Sequence, residues 1–211
     1  MRASDRPPAE PITADRLRIV RANQASWDDL QAVFGDTDYP SRCFCHRYKT
    51  GLPDYNPIPL PVRKDMTRDA ARCGEPEAET TIGLVAYLED EPVGWVSVEP
   101  RTAFRFMRRT PWAGRNEDRT DDSVWAVMCF VTRKGYRRRG ITYALASAAV
   151  DFAREEGARA LEGYPMAVPP GKEITWGELH VGARQVFDDA GFKEVCQPSP
   201  RRVVMRIDFA D

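Results

Sequence analysis

The order of apolar and polar positions predicts a succession of strands and helices from residue 16 onward. Residues 16–21 alternate between polar and apolar side chains, which is typical of a half-buried strand. Ser26 is suited to capping a helix over residues 27–34, because its hydroxyl can accept from a free N–H of the first turn. Residues 81–88 and 93–100 indicate two strands, and the turn residues 89–92 between them predict a hairpin.

A second group of elements predicts a βαβ unit. The nearly continuous apolar run 123–131 is typical of a strand covered on both faces. Residues 140–157 predict a helix, because Ile141, Leu145 and Phe152 recur on one side and Gly157 can cap its end. A short strand over 160–166 completes the unit, and the crossover between its parallel strands is expected to be right-handed.

The remaining segments are less regular. Residues 36–61 predict a long irregular stretch rich in Pro, Tyr, Cys and Gly, and loops of this length often serve binding, so it is a candidate substrate wall. Further predicted elements are a helix over 62–71, a basic helical connector over 103–111, a helix over 181–190 and strands over 192–197 and 202–209. The chain is therefore predicted to be a mixed α/β (α+β) protein in the order β-α-α-β-β-β-α-β-α-β-β.

Composition and charge narrow the class of protein. The 211 residues suit one domain, predicted over 15–211, after a polar and Pro-rich segment 1–14 that is predicted to be disordered. A formal net charge of −1 argues against nucleic acid or a membrane surface as a partner. The odd number of cysteines favours reduced thiols and a cytoplasmic location, and no apolar run reaches the length of a transmembrane helix.

The loop between the strand 123–131 and the following helix is a candidate anion site. It lies at the carboxyl end of a strand, where ligands of open α/β sheets bind. It also opens a helix, whose first backbone N–H groups lack partners and carry the positive end of the helix dipole. Arg137, Arg138 and Arg139 add charge, and Gly140 lets the backbone approach a ligand closely. A basic loop that is merely solvated is the alternative; the anion-site interpretation predicts a phosphate or pyrophosphate ligand.

The spacing of this loop resembles the Arg/Gln-x-x-Gly-x-Gly/Ala signature of the GNAT superfamily of acetyl-CoA-dependent N-acyltransferases. Arg137 takes the first place and Gly140 the fourth, whereas Thr142 stands where Gly or Ala is usual. The hairpin with Gly94 and Trp95, and the ending Asp-Asp-Ala-Gly-Phe at Phe192, also resemble this family. The resemblance implies a central mixed, mostly antiparallel sheet of about seven strands flanked by helices, with a βαβ unit that binds acetyl-CoA.

The resemblance also implies an activity. The enzyme would transfer an acetyl or short acyl group from acetyl-CoA, as co-substrate, to a primary amine of a small molecule or peptide by direct attack. The backbone amides of residues 138–142 and the arginine side chains would hold the pyrophosphate, the strand edge 129–131 would pair with pantetheine, and a backbone N–H near Phe130 or Val131 would polarise the thioester. The implied cofactor-binding residues are Cys129, Phe130, Val131, Arg137, Arg138, Arg139, Gly140, Ile141 and Thr142.

The residues that would move the proton depart from the family. Many relatives have a tyrosine four residues before the final Gly-Phe, but this chain has Phe187 there, and residues 124–131 contain no carboxylate. Tyr164 and Glu162 are the predicted catalytic substitutes, since period-two alternation puts them on one side of a strand; His180 is a further candidate. The alternatives are a core-edge tyrosine, a solvated strand-end carboxylate and a surface histidine. A catalytically degenerate acyl-CoA sensor therefore stays open as a second function.

Four residues are predicted to line the acceptor pocket: Cys43, Cys45, Trp95 and Glu99. The segment from Cys43 to His46 resembles a Cys-aromatic-Cys segment of one bacterial GNAT subgroup, although Trp95 is also suited to the core. A zinc site is not expected, because C-x-C-H lacks the usual ligand spacing and no second ligand pair follows. The predicted partners are acetyl-CoA and an amine acceptor, and a homodimer is left open.

Overall fold

The computed structural model describes residues 10–36, 38–51, 57–107, 109–168 and 178–209. Its strands are β1 (Leu17–Arg21), β2 (Leu84–Leu88), β3 (Glu91–Pro100), β4 (Val124–Thr132), β5 (Ala160–Gly163), β6 (Lys193–Ser199) and β7 (Arg202–Asp208). Its α-helices are α1 (Trp27–Phe34), α2 (Tyr39–Cys43), α3 (Leu60–Ala71), α4 (Ile141–Glu155) and α5 (Arg184–Asp189). In this part of the chain, no helix has both the length and the apolar character needed to cross a membrane.

The strands form one seven-stranded sheet in the order β1-β2-β3-β4-β5-β7-β6. Every neighbouring pair is antiparallel except β4 and β5, which are the two parallel strands of the βαβ unit. The mixed, mostly antiparallel sheet with flanking helices confirms the predicted fold class. The hairpin of β2 and β3 and the strand–helix–strand unit around α4 confirm the two patterns that carried this prediction.

Several predicted bounds are corrected by the structure. The stretch predicted as irregular contains α2 and a 3₁₀ turn, His46–Tyr48, and α3 begins at Leu60 instead of residue 62. The described part of 103–111 forms turns instead of a helical connector, with a 3₁₀ turn Arg101–Ala103 before it. The first hairpin strand begins at Leu84, β5 ends at Gly163, and α5 is preceded by a 3₁₀ turn, Leu179–Val181.

The segment before β1 is placed differently from its prediction where it is described. Residues 1–9 of the predicted disordered segment 1–14 lie outside the described residues. Ile12 is buried within the main apolar core, and its backbone N–H donates to the carbonyl of Arg139 over 2.8 Å. A boundary at residue 14 is therefore too late, because the chain already packs on the loop before α4 at Ile12.

The two central parallel strands separate halfway along β4. Their pairing runs from Val124 opposite Ala160 to Val127 opposite Gly163, but β4 continues to Thr132. On its other side, β4 has an irregular register against β3 around Met128, which bends the strand locally. The parting of β4 and β5 leaves the last part of β4 without a β5 partner, and this gap positions the site described below.

The core lies on both faces of the sheet. On one face, α4 and α5 pack on the central strands through a cluster that includes Leu145, Phe152 and Phe187. On the other face, α1 packs against β3 through Phe34, Phe44 and the fully buried Trp95. Both α1 and α4 contact β4, so this strand is packed on both faces of the sheet.

Candidate functional site

A cleft of about 320 Å³ opens where β4 ends and α4 begins. The last residues of β4 form its floor, the N-terminal end of α4 one side, and the 3₁₀ turn before α5 the other side. The start of α2 closes it from above through Tyr39 and Pro40. Residues lining this cleft are Asp38, Tyr39, Pro40, Phe130, Val131, Thr132, Arg137, Arg138, Thr142, Leu179, His180, Gly182, Ala183 and Val186.

The N-terminal end of α4 has the geometry of an anion site. Gly140 is the N-cap residue with φ of 90°, a left-handed conformation that favours glycine, and no side chain caps the helix. The helix has 15 residues, so its first amides carry the positive end of a full dipole. A Cβ at Gly140 would lie 3.3 Å from the carbonyl oxygen of Ile12, so the backbone at this buried residue packs closely against the turn.

The predicted cofactor-binding residues divide into two groups. Five of them line the cleft: Phe130, Val131, Arg137, Arg138 and Thr142. Arg137 also forms an ion pair with Asp38 and donates to the carbonyl of Thr132 over 3.3 Å. The others take supporting places: Arg139 turns away to the carbonyl of Glu10 over 3.0 Å, and Ile141 is buried against β3 at Gly94.

A second, smaller pocket of about 30 Å³ adjoins the cleft. Its walls are apolar, and the two cavities share Tyr39, Pro40, Phe130, Val131 and His180. The residues that line only this pocket are Phe34, Cys43, Cys45, Arg47, Tyr48, Met128 and Cys129. We call it the thiol-lined pocket, and its two predicted acceptor residues Cys43 and Cys45 lie there together with Cys129.

Two of the three thiols, those of Cys43 and Cys129, are held in their neutral form. Burial, with the neighbouring Cys45, raises the pKa of Cys43 to about 11. A hydrogen bond with Cys45, together with burial, raises the pKa of Cys129 well above its usual value. Metal ligation and nucleophilic attack both require thiolates, so this environment suits an apolar wall. No group of three or more potential metal ligands converges in the part of the chain that the structure describes.

The other two predicted acceptor residues lie behind this wall. Trp95 is fully buried, and its Nε1 donates to Cys45 Sγ over 3.2 Å. Glu99 is also buried and is paired with Lys49, whose Nζ lies 2.5 Å away. Neither residue lines the cleft or the thiol-lined pocket. Their contacts indicate that they support the pocket from outside.

The predicted catalytic pair lies inside a buried ionic cluster. Glu162 has no exposed surface and accepts from Arg115 over 2.6 Å, Arg206 over 3.0 Å and Arg101 over 3.3 Å. The hydroxyl of Tyr164 donates to the same carboxylate over 2.7 Å. Neither side chain lines either cavity. The geometry therefore favours a structural role for both, which is the alternative to the predicted catalytic one.

The ionisation of this pair supports the same interpretation. Burial alone would raise the pKa of Glu162, but the hydrogen bonds from Arg115 and Tyr164 and the charges of Arg115 and Arg101 outweigh it, and the pKa lies below its usual value. Burial and the charge of Glu162 raise the pKa of Tyr164 well above its usual value. A general base works best with a pKa near the working pH, and both shifts move away from it.

A histidine and a tyrosine meet where the two cavities join. His180 lines both, its ring stacks on that of Tyr48 with centroids 5.8 Å apart, and its Nε2 lies 3.3 Å from the Tyr48 hydroxyl. His180 was a candidate from the sequence, whereas Tyr48 was missed. The tyrosines within residues 36–61 were the one signal in the sequence that could have indicated Tyr48. The other histidine, His46, is buried on Thr67, and burial with the charge of Lys49 lowers its pKa to about 4.

The fold and the cleft define a mixed α/β protein in which the start of a helix, without a side-chain cap, lies beside the part of β4 that has no β5 partner. The model of the family described as "Acetyltransferase (GNAT) family" matches residues 37–164, which is more than half of the chain. The chain therefore belongs to the GNAT acetyltransferase family. No curated protein matches the sequence.

Solved structures share the fold at low sequence identity. A GCN5-related N-acetyltransferase from Kribbella flavida is 16% identical with a TM-score of 0.52, covering 93% of this chain and 100% of its own. A GNAT-family acetyltransferase from Bacillus anthracis is 13% identical with a TM-score of 0.52, covering 93% and 97%. A candidate acetyltransferase from Salmonella typhimurium, solved with its cofactor acetyl-CoA, is 13% identical with a TM-score of 0.50, covering 92% and 94%. At these identities the likeness concerns the fold alone.

Proposed function

We propose that the protein is an N-acetyltransferase that transfers the acetyl group of acetyl-CoA to a primary amine of a small molecule or peptide. The observation that carries this proposal is the continuity of the site. One cleft extends from the start of α4 along the free part of β4 and meets the thiol-lined pocket at His180. A long donor with an anionic end and a reactive end suits the cleft, and a second substrate suits the adjoining pocket.

The pyrophosphate of acetyl-CoA would bind at the start of α4. The first backbone N–H groups of a helix have no intrahelical acceptor, although that of Tyr143 already donates to the carbonyl of Gly140 over 2.9 Å. The side chains of Arg137 and Arg138 line the same end of the cleft. Arg137 is already paired with Asp38, so Arg138 is the arginine of this loop that is more available to the ligand. The backbone of Arg138 is left-handed, with a φ of 61°, and a left-handed residue in a loop is one of the conformations from which anion-binding backbone concavities are built.

The pantetheine arm would lie along the free part of β4. Its amide groups are suited to pairing with the backbone of a strand edge, as an added strand would. This places the thioester near Phe130 and Val131, which line both cavities. A backbone N–H of this edge can then donate to the carbonyl oxygen as negative charge develops on it.

The reaction would be a direct transfer. The amine nitrogen attacks the thioester carbonyl carbon, a tetrahedral intermediate forms, its C–S bond breaks, and CoA leaves as the thiol after taking up a proton. A covalent acyl-cysteine at Cys43 or Cys129 is disfavoured, since both thiols are held neutral and are therefore weakly nucleophilic. The neutral and apolar wall instead excludes water from the thioester.

His180 and Tyr48 would handle the proton. Histidine is the most frequent general acid or base, and the ring of His180 lies where the thioester end of the cleft would meet the acceptor pocket. The Tyr48 hydroxyl beside Nε2 can orient the imidazole and extend the path of the proton. Glu162 and Tyr164 are left as structural residues in this proposal.

Acetyl-CoA binding, followed by product formation, tests the proposal. Isothermal titration of the wild type should show binding, and Gly140→Asp should lose it, because the carboxylate would stand where the pyrophosphate lies. Gly157→Asp is the matched control at the opposite end of the same helix, with a similar positive φ of 77° and open space around its Cβ. It should bind normally, whereas equal binding by both variants would refute the site.

Turnover separates the enzyme from a sensor. Wild type and His180→Gln, each saturated with acetyl-CoA, are incubated with a panel of primary amines, and N-acetylated products are measured by mass spectrometry. We expect products with the wild type and a fall in kcat of about 100-fold or more with the variant, the range of general acid–base catalysis. Tight acetyl-CoA binding without any product would favour the catalytically degenerate sensor.

A further inference from the structure

Two arginines contact Tyr48, a residue that lines the thiol-lined pocket. Arg47 lines this pocket, its guanidinium carbon lies 5.7 Å from the centre of the Tyr48 ring, and its Nη1 donates to the Tyr39 hydroxyl over 3.4 Å. Arg202 reaches Tyr48 from β7, with its Nη2 donating to the Tyr48 hydroxyl over 3.4 Å. Both arginines are half-buried residues. Arg202 lines neither cavity itself and reaches the acceptor side through its contact with the Tyr48 hydroxyl.

Neither arginine has a carboxylate partner among the residues that the structure describes. Arg202 gives its other hydrogen bond to the carbonyl of Tyr164 over 2.9 Å, and Arg47 contacts tyrosine rings and hydroxyls only. Arginines nearby are neutralised: Arg137 by Asp38, and Arg201 by Glu178 over 2.5 Å. A guanidinium offers five donors, so Arg47 and Arg202 keep capacity for an external anion.

We propose that the amine acceptor carries a carboxylate, which Arg47 and Arg202 bind beside Tyr48. This inference rests on the proposed acetyl transfer and adds the chemical class of the second substrate. The carboxylate would accept charge-assisted hydrogen bonds from the two guanidinium groups, which match its planar geometry. The apolar part of the acceptor would enter the thiol-lined pocket, and its amine would lie near His180.

The same charges would also prepare the amine for attack. A positive charge nearby disfavours an ammonium group and so lowers the pKa of the bound amine. Two half-buried guanidinium groups therefore increase the fraction of acceptor that is neutral, which is the nucleophilic form. The carboxylate of the acceptor offsets their repulsion of the incoming ammonium, since it supplies the opposite charge. The two arginines would thus both bind the carboxylate of the acceptor and favour the neutral form of its amine.

The test compares acceptors that differ only in the carboxylate. L-Alanine, L-valine, L-leucine and L-phenylalanine are each paired with their C-terminal amides, and kcat and KM are measured from the N-acetyl product by mass spectrometry. The amides have the less basic amine, so more of it is neutral, and amine ionisation alone would favour them. We expect at least one acid to exceed its amide by about 10-fold or more in kcat/KM, which corresponds to about 1.4 kcal/mol.

Substitutions at Arg47 and Arg202 test whether these two side chains cause the preference for the acid over the amide. In Arg47→Gln and Arg202→Gln, the acid-to-amide ratio of kcat/KM should fall toward one, mainly through a higher KM for the acid. Arg47→Lys and Arg202→Lys should retain part of the ratio, because the charge remains while the planar fork is lost. Arg159→Gln is the control: it removes an exposed guanidinium at the opposite end of β5, and it should leave both the ratio and the rates unchanged. Unaltered acetyl-CoA affinity in each variant verifies that the protein is folded.

The outcomes separate the inference from the proposed function. A wild type that acetylates the amides as well as or better than every acid would overturn the carboxylate inference while acetyl transfer stands. A preference for acids that survives both glutamine substitutions would equally overturn it, because the carboxylate would then bind elsewhere. No acetylation of any amine by protein that binds acetyl-CoA would overturn the proposed function, and the inference with it.

Discussion

Replacing Glu162 with glutamine distinguishes a structural carboxylate from a catalytic base. Its side chain has no exposed surface, and it accepts from three arginines and from Tyr164. Glutamine keeps the size and one oxygen acceptor but removes the negative charge. Three buried or nearly buried guanidinium groups would then share Glu117 as their remaining inner carboxylate.

The expected loss of stability follows from this burial. Removing one partner of a buried ion pair costs about 3 to 5 kcal/mol, and we expect about 3 kcal/mol because the amide oxygen can still accept. For a chain of this size, that change corresponds to a fall in Tm of about 6 to 12 °C. Glu117→Gln is the matched control within the same cluster: this carboxylate is 21% exposed, so about 1 kcal/mol is expected. Urea unfolding followed by circular dichroism measures the free energy of unfolding of both variants, and thermal unfolding measures their Tm.

The pH dependence of this effect has a definite sign. The folded-state pKa of Glu162 is depressed, so its contribution to stability is complete above its unfolded pKa of about 4.3 and is lost as the pH falls through the folded value. The stability difference between wild type and Glu162→Gln should therefore be constant from about pH 5 to 7 and shrink below about pH 4. Equal stability of the two proteins, combined with a 100-fold fall in kcat, would refute the structural role and restore Glu162 as the base.

Two further substitutions test the packing around the cleft. Phe187→Tyr restores the tyrosine of many relatives, but this ring is fully buried and fills the space beside Gly163 and Gly182. We expect a loss of about 1 to 3 kcal/mol in urea unfolding and no gain in kcat, since the new hydroxyl would be buried in an apolar cluster; a tenfold higher kcat at unchanged stability would contradict this. Ile12→Ala should cost about 2 kcal/mol and weaken acetyl-CoA binding in calorimetry, because Ile12 supports the turn at Gly140. The exposed Val62→Ala should change neither quantity, and equal effects of the two substitutions would show that Ile12 has no special role.

The sheet and the helix start at Gly140 could be predicted from the sequence because their signals are local. Alternation over β2 and β3 and the continuous apolar run of β4 specify strands, and α4 shows helical periodicity over several turns. The loop before α4 has its arginines and glycine within a few residues. Helix α2 was missed for the opposite reason: its five residues, Tyr39–Cys43, are too few to show a period.

The acceptor side depends on contacts between distant segments. Tyr48 and His180 are separated by 132 residues, and Tyr48 and Arg202 by 154, so no spacing in the sequence indicates that they meet. Alternation along the strand predicts Glu162 to be a catalytic substitute or a solvated strand-end carboxylate, but it cannot show that the carboxylate is fully buried, which for a charged residue requires partners. Its partners, Arg101, Arg115 and Arg206, come from three different parts of the chain, and only the fold brings them together.

One packing arrangement explains both the phenylalanine at position 187 and the contact of His180 with Tyr48. Phe187 lies edge-on to Phe130 and Phe192, and a Cβ at Gly163 would lie only 2.2 Å from its ring. In α5, position 187 is therefore part of the core, and a hydroxyl there would not reach the thioester of the proposed acetyl-CoA site. The 3₁₀ turn just before α5 instead carries His180 to the junction of the two cavities. If guanidinium groups beside Tyr48 already lower the pKa of the bound amine, the base needs only modest strength, and an imidazole at that junction is sufficient.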